Sequence, residues 1–211
     1  MPARQQTLRR TIDWSYDLLS DGAQRLFRRL SAFSGGFTLE GVEAVCNTAH
    51  DPEMDLLDGI ASLTDKSLLH EIHTEGSTAR FAMLETVREY ASERLAVSGE
   101  AEKTRRAHAA YCLVLAEEGN AQLTPADRRD WLTLCDAEHD NFRAALESLV
   151  ATGNVKWAFR LGAALFNFWE RREYLSEGRE RLRAILKLEG AQGRTKERAR
   201  IVFYAGTLVT N

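Results

Sequence analysis

Residues 55–97 read DLLDGIASLTDKSLLHEIHTEGSTARFAMLETVREYASERLAV, and their hydrophobic pattern changes twice. Apolar residues recur at helical spacing over 55–67, lose that spacing over 68–74, and alternate over 80–83 after a Glu-Gly-Ser turn. A second helical pattern covers 84–97 and stops at a glycine. The stretch therefore predicts a helix, a β-hairpin and a helix. The side chains predicted to face inward on the helices are Leu57, Ile60, Leu63, Leu84, Val87, Ala91 and Leu95.

Three further helices are predicted upstream of this stretch. The first covers 7–19, the second begins at a capping box formed by Asp21 and Gln24, and the third is short and capped by Thr38. Several helices, a small hairpin and a closing helix are typical of a winged-helix domain. We assign that domain to residues 1–99.

Everything after residue 99 is predicted to be helical. The expected helices cover 103–118, 125–150 with a kink near residues 138–139, 155–171 and 175–188, and a last one begins near Thr195. The two predicted helices of residues 155–188 form a helical hairpin, which we compared with the tetratricopeptide pattern. The hairpin fits the pattern except that a large residue, Phe166, occupies a position that is usually small. The alternative is an unspecialised helical bundle. The residues that fit the pattern are Gly162, Leu165, Phe166, Trp169, Gly178, Leu182 and Ile185.

The predicted fold class is thus mainly α. A winged-helix domain with one small β-hairpin over 1–99 precedes a tetratricopeptide-like α-helical repeat region over 100–211, whose last repeat is incomplete. The chain has 211 residues, 44% of them hydrophobic, and a net charge of −3, which excludes a disordered chain and a strongly basic one. Its three cysteines show no CxxC spacing and are expected to be buried in a reducing cytoplasm. Neither a signal peptide nor a membrane span is expected.

The sequence contains no pattern typical of an enzyme. It has no P-loop and no HExxH motif, so no nucleotide, other cofactor or metal is expected in this chain. His70 and His73 would point to opposite faces of a strand. His108 and His139 are lone helical histidines, expected to be surface or capping residues rather than metal ligands. Carboxylates spaced by four residues could perform acid–base chemistry, but a solvated helix face is the preferred interpretation. They are Glu85, Glu89 and Glu93.

Local charge decides the expected partners. Residues 37–79 hold nine acidic side chains against Lys66 alone, so we expect this winged helix to repel DNA and to bind protein. Residues 171–200 instead hold ten basic and five acidic side chains, which could face an acidic partner or only solvent. On the tetratricopeptide interpretation, one stripe of the 155–171 helix would line a partner groove, although a wet helix face is the alternative. The stripe consists of Arg160, Ala163, Asn167, Glu170 and Arg171.

Five longer stretches of the chain resemble sequences of one known protein family. LRRTIDWSYDLL at 8–19, QRLFRRL at 24–30, LTDKSLL at 63–69, FAMLETVREYA at 81–91 and DAEHDNFRAAL at 136–146 resemble bacterial STAND-type signalling ATPases, in the segment that follows their NB-ARC nucleotide-binding core. The resemblance covers nearly the whole chain. It implies a large transcriptional regulator with an ATPase, a winged helix, tetratricopeptide repeats and a separate DNA-binding module, often of the LuxR type.

The resemblance also implies how such a segment works. The winged helix would pack on bound nucleotide and hold the off state, and the repeats would sense a protein or a small-molecule inducer. Many relatives carry a Met-His-Asp triplet that places an imidazole near the nucleotide phosphate, whereas this chain has Met83, Leu84 and Glu85 there. Leu84 cannot donate a hydrogen bond. ATP or ADP is therefore expected only if an upstream ATPase core is present.

The predicted function is a non-catalytic regulatory or sensor segment of such a regulator, mediating protein or inducer recognition and autoinhibition. The alternative is a stand-alone helical-repeat adaptor that binds a protein. The expected partners are an ATPase core in cis or in trans and a protein or inducer on the repeats, with neither DNA nor a membrane contacted directly. A cytoplasmic location is expected.

Overall fold

The computed structural model describes residues 3–47, 55–72, 79–119 and 123–208. The chain divides into two compact units, Met1–His108 and Ala109–Asn211. Both are mainly helical, so the predicted class, a winged helix followed by a helical region, is confirmed. Among the described residues, no helix combines the length and the apolar character needed to cross a membrane.

The first unit is a set of helices around a small sheet. Its elements are α1 (Ala3–Asp17), α2 (Asp21–Leu30), β1 (Phe37–Thr38), α3 (Leu39–Cys46), α4 (Leu56–Asp65), β2 (His70–Ile72), β3 (Arg80–Ala82), α5 (Glu85–Val97) and the start of α6 (Ala101–Glu118). The sheet is antiparallel with the order β1-β3-β2. The predicted hairpin is therefore extended by a third strand.

The third strand depends on two glycines that precede it. Gly35 and Gly36 have positive φ angles, 78° and 114°, which other residues rarely adopt. They lead the chain to the sheet edge, where Phe37 pairs with Phe81. A Cβ on Gly36 would lie 3.1 Å from the Phe81 carbonyl oxygen, so the backbone also approaches closely there. A two-residue strand after a double glycine has no hydrophobic period that could predict it.

The core of the first unit holds helices α2, α4 and α5 together. Leu26, Phe27 and Leu63 are fully buried, and Phe27 packs against the Tyr16 and Tyr90 rings. Gly59 of α4 has no side chain where α2 crosses, and a Cβ there would lie 2.6 Å from Leu26 Cδ2. The position of α4 on the core therefore depends on this glycine.

Two apolar residues predicted to face inward are instead exposed. Leu57 is 67% exposed because the buried face of α4 is centred on Gly59, Ile60 and Leu63. Leu84 is 60% exposed because it precedes α5 in extended backbone, where the helical period does not apply. The inward assignment of both residues is wrong.

The helix cap predicted at Thr38 is confirmed, and the one predicted at Asp21 is not. Thr38 and Asp55 cap α3 and α4 by accepting hydrogen bonds from the Gly41 and Asp58 N–H groups, at 3.2 Å and 3.0 Å. At α2, however, Ser20 is the cap, since its Oγ accepts from the Ala23 N–H at 3.3 Å. The Asp21–Gln24 capping box was thus placed one residue too late.

The second unit continues α6 with a run of paired helices. They are α7 (Pro125–Ala137), α8 (His139–Ala151), α9 (Val155–Ala164), α10 (Phe166–Arg171), α11 (Leu175–Leu186) and α12 (Lys196–Thr207). The kink predicted near residues 138–139 is a break between α7 and α8, and the helix predicted over 155–171 is broken at Leu165. Neither a proline nor a glycine marks the second break.

Close packing in the second unit uses two glycines. A Cβ on Gly162 would lie 2.8 Å from Ile185 Cδ1, and a Cβ on Gly178 would lie 2.9 Å from the Trp169 ring. Trp169 is almost fully buried between these helices. The seven residues that fit the two-helix pattern are all buried, so this pattern identified the core of α9–α11.

Candidate functional site

The helix-turn-helix of the first unit consists of α3 and α4, with β2 and β3 forming the strands of the wing. Arg29 of α2 donates from Nη1 to the Cys46 carbonyl oxygen at 2.7 Å, which fixes the last turn of α3. Arg28 and Arg29 also pair with Glu100. Burial alone would raise the pKa of Glu100, but hydrogen bonds from the two guanidinium groups hold that pKa below its usual value. These contacts connect α2 to the end of α3 and to Glu100, the residue before α6.

The outward face of α4 is open. Leu57, Asp58, Ala61 and Asp65 are exposed along it, while Ile60 and Leu63 hold the opposite face in the core. At the end of the helix, the Lys66 Nζ lies 3.3 Å from Ser62 Oγ. In a winged helix-turn-helix this second helix is the element that enters a DNA groove. The sequence prediction missed that Leu57 and Ala61 belong to this surface.

The residues at the place of the Met-His-Asp triplet lie at the start of α5. Leu84 is exposed and offers no hydrogen-bonding group, and Glu85 is paired with Arg88, whose Nη2 lies 2.6 Å from Oε1. Hydrogen bonding from Arg88 lowers the pKa of Glu85. A nucleotide-sensing role for Leu84 and Glu85 stays a prediction.

The five predicted groove residues do not form one straight stripe, because the break at Leu165 separates α9 from α10. Arg160 is exposed but bound by Glu117 of α6, with Nε–Oε1 at 2.8 Å and Nη2–Oε2 at 2.6 Å. Ala163 is half-buried against the core. The remaining three are exposed on α10, namely Asn167, Glu170 and Arg171. Whether they bind a partner stays a prediction.

Two histidines predicted at helix surfaces are buried. His108 is 2% exposed and meets the Phe33 ring edge-on, and His139 is 8% exposed against Phe168 and Tyr174. The surface assignment was wrong because a lone histidine carries no periodic signal of burial. Burial lowers the pKa of His139, although Glu177, 3.3 Å away, opposes that effect. Glu177 is itself held by Arg143, whose Nε lies 2.7 Å from Oε1.

The remaining candidates for a functional site are the cysteines, possible metal-binding groups and the basic segment 171–200. Cys46, Cys112 and Cys135 are buried thiols outside any disulfide, and burial raises the pKa of each thiol, so none is poised as a nucleophile. Within the described ranges, His, Cys, Asp and Glu side chains form no group that could hold a metal ion. Part of the basic 171–200 segment is neutralised locally, since Arg172 and Arg181 pair with Asp136 and Glu147.

Comparison with known sequences agrees with this architecture. Residues 19–96 match the family model described as "Winged helix-turn-helix domain". The strand order and the open α4 define the same residues structurally as a winged helix-turn-helix. The match begins next to α2 and ends inside α5, so it contains α3, α4 and the complete sheet.

The chain is similar to mycobacterial proteins. It is 41% identical over 186 residues to a protein of Mycobacterium tuberculosis named "Putative HTH-type transcriptional regulator", and equally to a Mycobacterium bovis protein of that name; the match covers 87% of this chain and 20% of each relative. An uncharacterized M. tuberculosis protein is 40% identical over 99 residues, 46% of this chain and 25% of that protein. No solved structure matches. The chain thus spans about one fifth of the length of the regulators it resembles.

The prediction that this segment makes no direct contact with DNA is wrong. A winged helix-turn-helix domain and relatives named as HTH-type transcriptional regulators both point to DNA. The prediction rested on the net charge of residues 37–79, but phosphate contacts can come from any part of a domain. Residues 1–36 and 80–108 hold twelve Arg and Lys against eight Asp and Glu, and Asp55 in the acidic window caps a helix.

Proposed function

We propose that this chain is a regulatory segment of a transcriptional regulator, in which the winged helix-turn-helix contacts DNA through α4 and the helical unit binds a protein or small-molecule inducer. The observation that carries the proposal is the open face of α4 within a winged helix-turn-helix. Four exposed positions on one helix face, including the small Ala61, leave room for that helix to approach base edges.

The chemistry of α4 suggests how DNA would be read. Leu57 offers apolar contact of the kind that recognises a thymine methyl group, and Lys66 at the end of α4 can contact phosphate. Asp58 and Asp65 oppose phosphate and limit non-specific affinity. The proposal therefore expects recognition that depends on sequence more than on bulk charge.

Selection of bound duplexes from sheared genomic DNA, followed by gel shifts with the recovered site, tests this proposal. Ala61→Glu places a charge on the open face of α4 and is expected to weaken binding about tenfold or more, the scale of one lost base contact. Ala126→Glu adds the same charge to the exposed start of α7 and is expected to leave binding unchanged. The proposal would be contradicted if the selection enriched no site. It would also be contradicted if both variants bound the recovered site as tightly as the original chain.

We further propose that the longer protein is a STAND-type signalling ATPase and that this segment serves its autoinhibition. The five strings quoted above support this affiliation. So do large apolar side chains exposed on the first unit, a feature typical of surfaces that another domain covers. They are Trp14, Leu18, Leu57 and Leu84. A coding sequence with an in-frame P-loop supports the affiliation, and a full-length gene without one contradicts it.

On this proposal, nucleotide is held outside the chain. ATP or ADP would bind to the ATPase core, while the α7–α12 helices would act as tetratricopeptide-like repeats that receive the signal. The close helix contacts at Gly162 and Gly178 support the repeat assignment.

A further inference from the structure

A cavity of about 380 Å³ opens in the second unit between the start of α9 and the segment that joins α11 to α12. Small-molecule sites in proteins commonly begin near this volume, at about 300 Å³. Its floor is apolar and includes Phe159 and Ala191, which are buried in the core. None of the five predicted groove residues except Arg160 lines it.

Basic side chains stand at one side of this cavity. Lys156 is exposed and forms no ion pair within the part of the chain that the structure describes. Arg160 is oriented by its two hydrogen bonds to Glu117, which use Nε and Nη2 and leave Nη1 available. An anionic group that enters the cavity would therefore meet one free ammonium group and one guanidinium group that is already positioned.

Two helix N-termini contribute further positive potential. Val155, the first residue of α9, and Thr195, the N-cap of α12, both line the cavity. The first-turn N–H groups of a helix lack intrahelical acceptors and carry partial positive charge. Glu197 is the acidic side chain among the lining residues, and it is exposed. Glu197 and Glu117, the partner of Arg160, equal the two cations in number. The preference for an anion therefore rests on the Lys156 ammonium group, unpaired within the described residues, and on the helix N-termini.

We infer that this cavity binds a small organic acid, with its apolar body on Phe159 and Ala191 and its carboxylate at Lys156 and Arg160. The inference depends on the proposed function in one respect: it makes this acid the inducer that the helical unit binds. The cavity itself is independent of DNA binding by the first unit.

Hexanoate and its neutral amide, hexanamide, are suitable probes, since they share an apolar body and differ in charge. In titrations of the whole chain followed by NMR, hexanoate is expected to bind about fivefold more tightly than hexanamide, the factor that a partly exposed ion pair provides. Lys156→Gln should abolish that preference. The matched control Lys187→Gln, at an exposed lysine outside the cavity, should retain it.

Two further variants separate shape from charge. Gly193→Leu places a side chain in the cavity wall, where a Cβ would meet nothing closer than Thr195 Cγ2 at 3.6 Å, so the chain should fold and lose both probes. Glu197→Gln should strengthen hexanoate binding and leave hexanamide unchanged. Equal binding of the two probes, or a preference that survives Lys156→Gln, overturns the inference. If the probes bind as expected but the chain does not bind DNA, only the proposed function is contradicted.

Discussion

At the scale of single residues, His139 shows how burial changes chemistry. Its ring lies between Phe168 and Tyr174, and its Nε2 is 3.3 Å from Glu177 Oε1. Burial lowers the pKa of His139 below its ordinary value of 6.5, so the folded chain prefers the neutral ring. A histidine that is neutral when folded is protonated more readily in the unfolded chain, and protonation therefore favours unfolding.

This histidine predicts an acid-sensitive stability. The free energy of unfolding should fall as the pH drops from 7.5 to 5.5, because the unfolded chain takes up a proton near pH 6.5 that the folded chain resists. Urea denaturation at several pH values measures this. His139→Gln removes the titrating group, so the variant should lose less stability over the same range. A variant with the same slope as the original chain would show that His139 does not contribute.

At the scale of elements, the close approach of α10 and α11 depends on Gly178. Its missing side chain leaves space for the Trp169 ring, since a Cβ would lie 2.9 Å from both that ring and Leu208 Cδ1. Packing of this density has little capacity to absorb an added methyl group. Gly206 in α12 is different, because a Cβ there would have nothing within 4 Å.

These two glycines give a matched pair of variants. Gly178→Ala is expected to destabilise the chain by about 1–3 kcal/mol through overpacking. Gly206→Ala is expected to stabilise it by up to about 1 kcal/mol, because alanine is the better helix former. Chemical denaturation followed by circular dichroism measures both. Equal and small effects of the two substitutions would contradict the packing argument.

Sequence periodicity predicted the elements better than their ends and surfaces. Helix α2 carries an apolar stripe whose residues Ala23, Leu26, Phe27 and Leu30 are all buried, and it could be located from the sequence. Strand β1 and the break at Leu165 could not, because the strand is two residues long and neither a proline nor a glycine marks the break. Exposure of Leu57 and burial of His139 likewise depend on tertiary neighbours that no local pattern encodes.

The candidate sites could be predicted from the sequence only in part. Arg160 is predicted to line a groove from its place on a helix, but its hydrogen bond to Glu117 joins residues 43 positions apart and could not be predicted. The cavity beside Lys156 combines α9 with the segment before α12, and spacing alone does not reveal such a meeting. DNA contact was misjudged because a charge count over one window ignores where each side chain lies.

At the scale of the whole molecule, the chain carries a winged helix-turn-helix and a helical unit but no phosphate-binding loop. On the STAND-type proposal Leu84 stands where a nucleotide-sensing histidine would be, and its exposed side chain has no hydrogen-bonding group. Because the sequence contains no P-loop to cradle the phosphates, we expect ATP and ADP to give no binding heat in isothermal titration of this chain. Micromolar affinity for either nucleotide would show that the chain has a site of its own.

The packing of Gly59 against Leu26 has an evolutionary consequence. A side chain at position 59 would meet Leu26 Cδ2 at 2.6 Å, so a replacement there requires Leu26 to shift within the core and is less costly where position 26 is smaller. The two positions are therefore expected to diverge together, not singly. Exposed positions on the other face of α4, such as Ala61, carry no such joint constraint, so binding specificity could drift there while the fold is inherited unchanged.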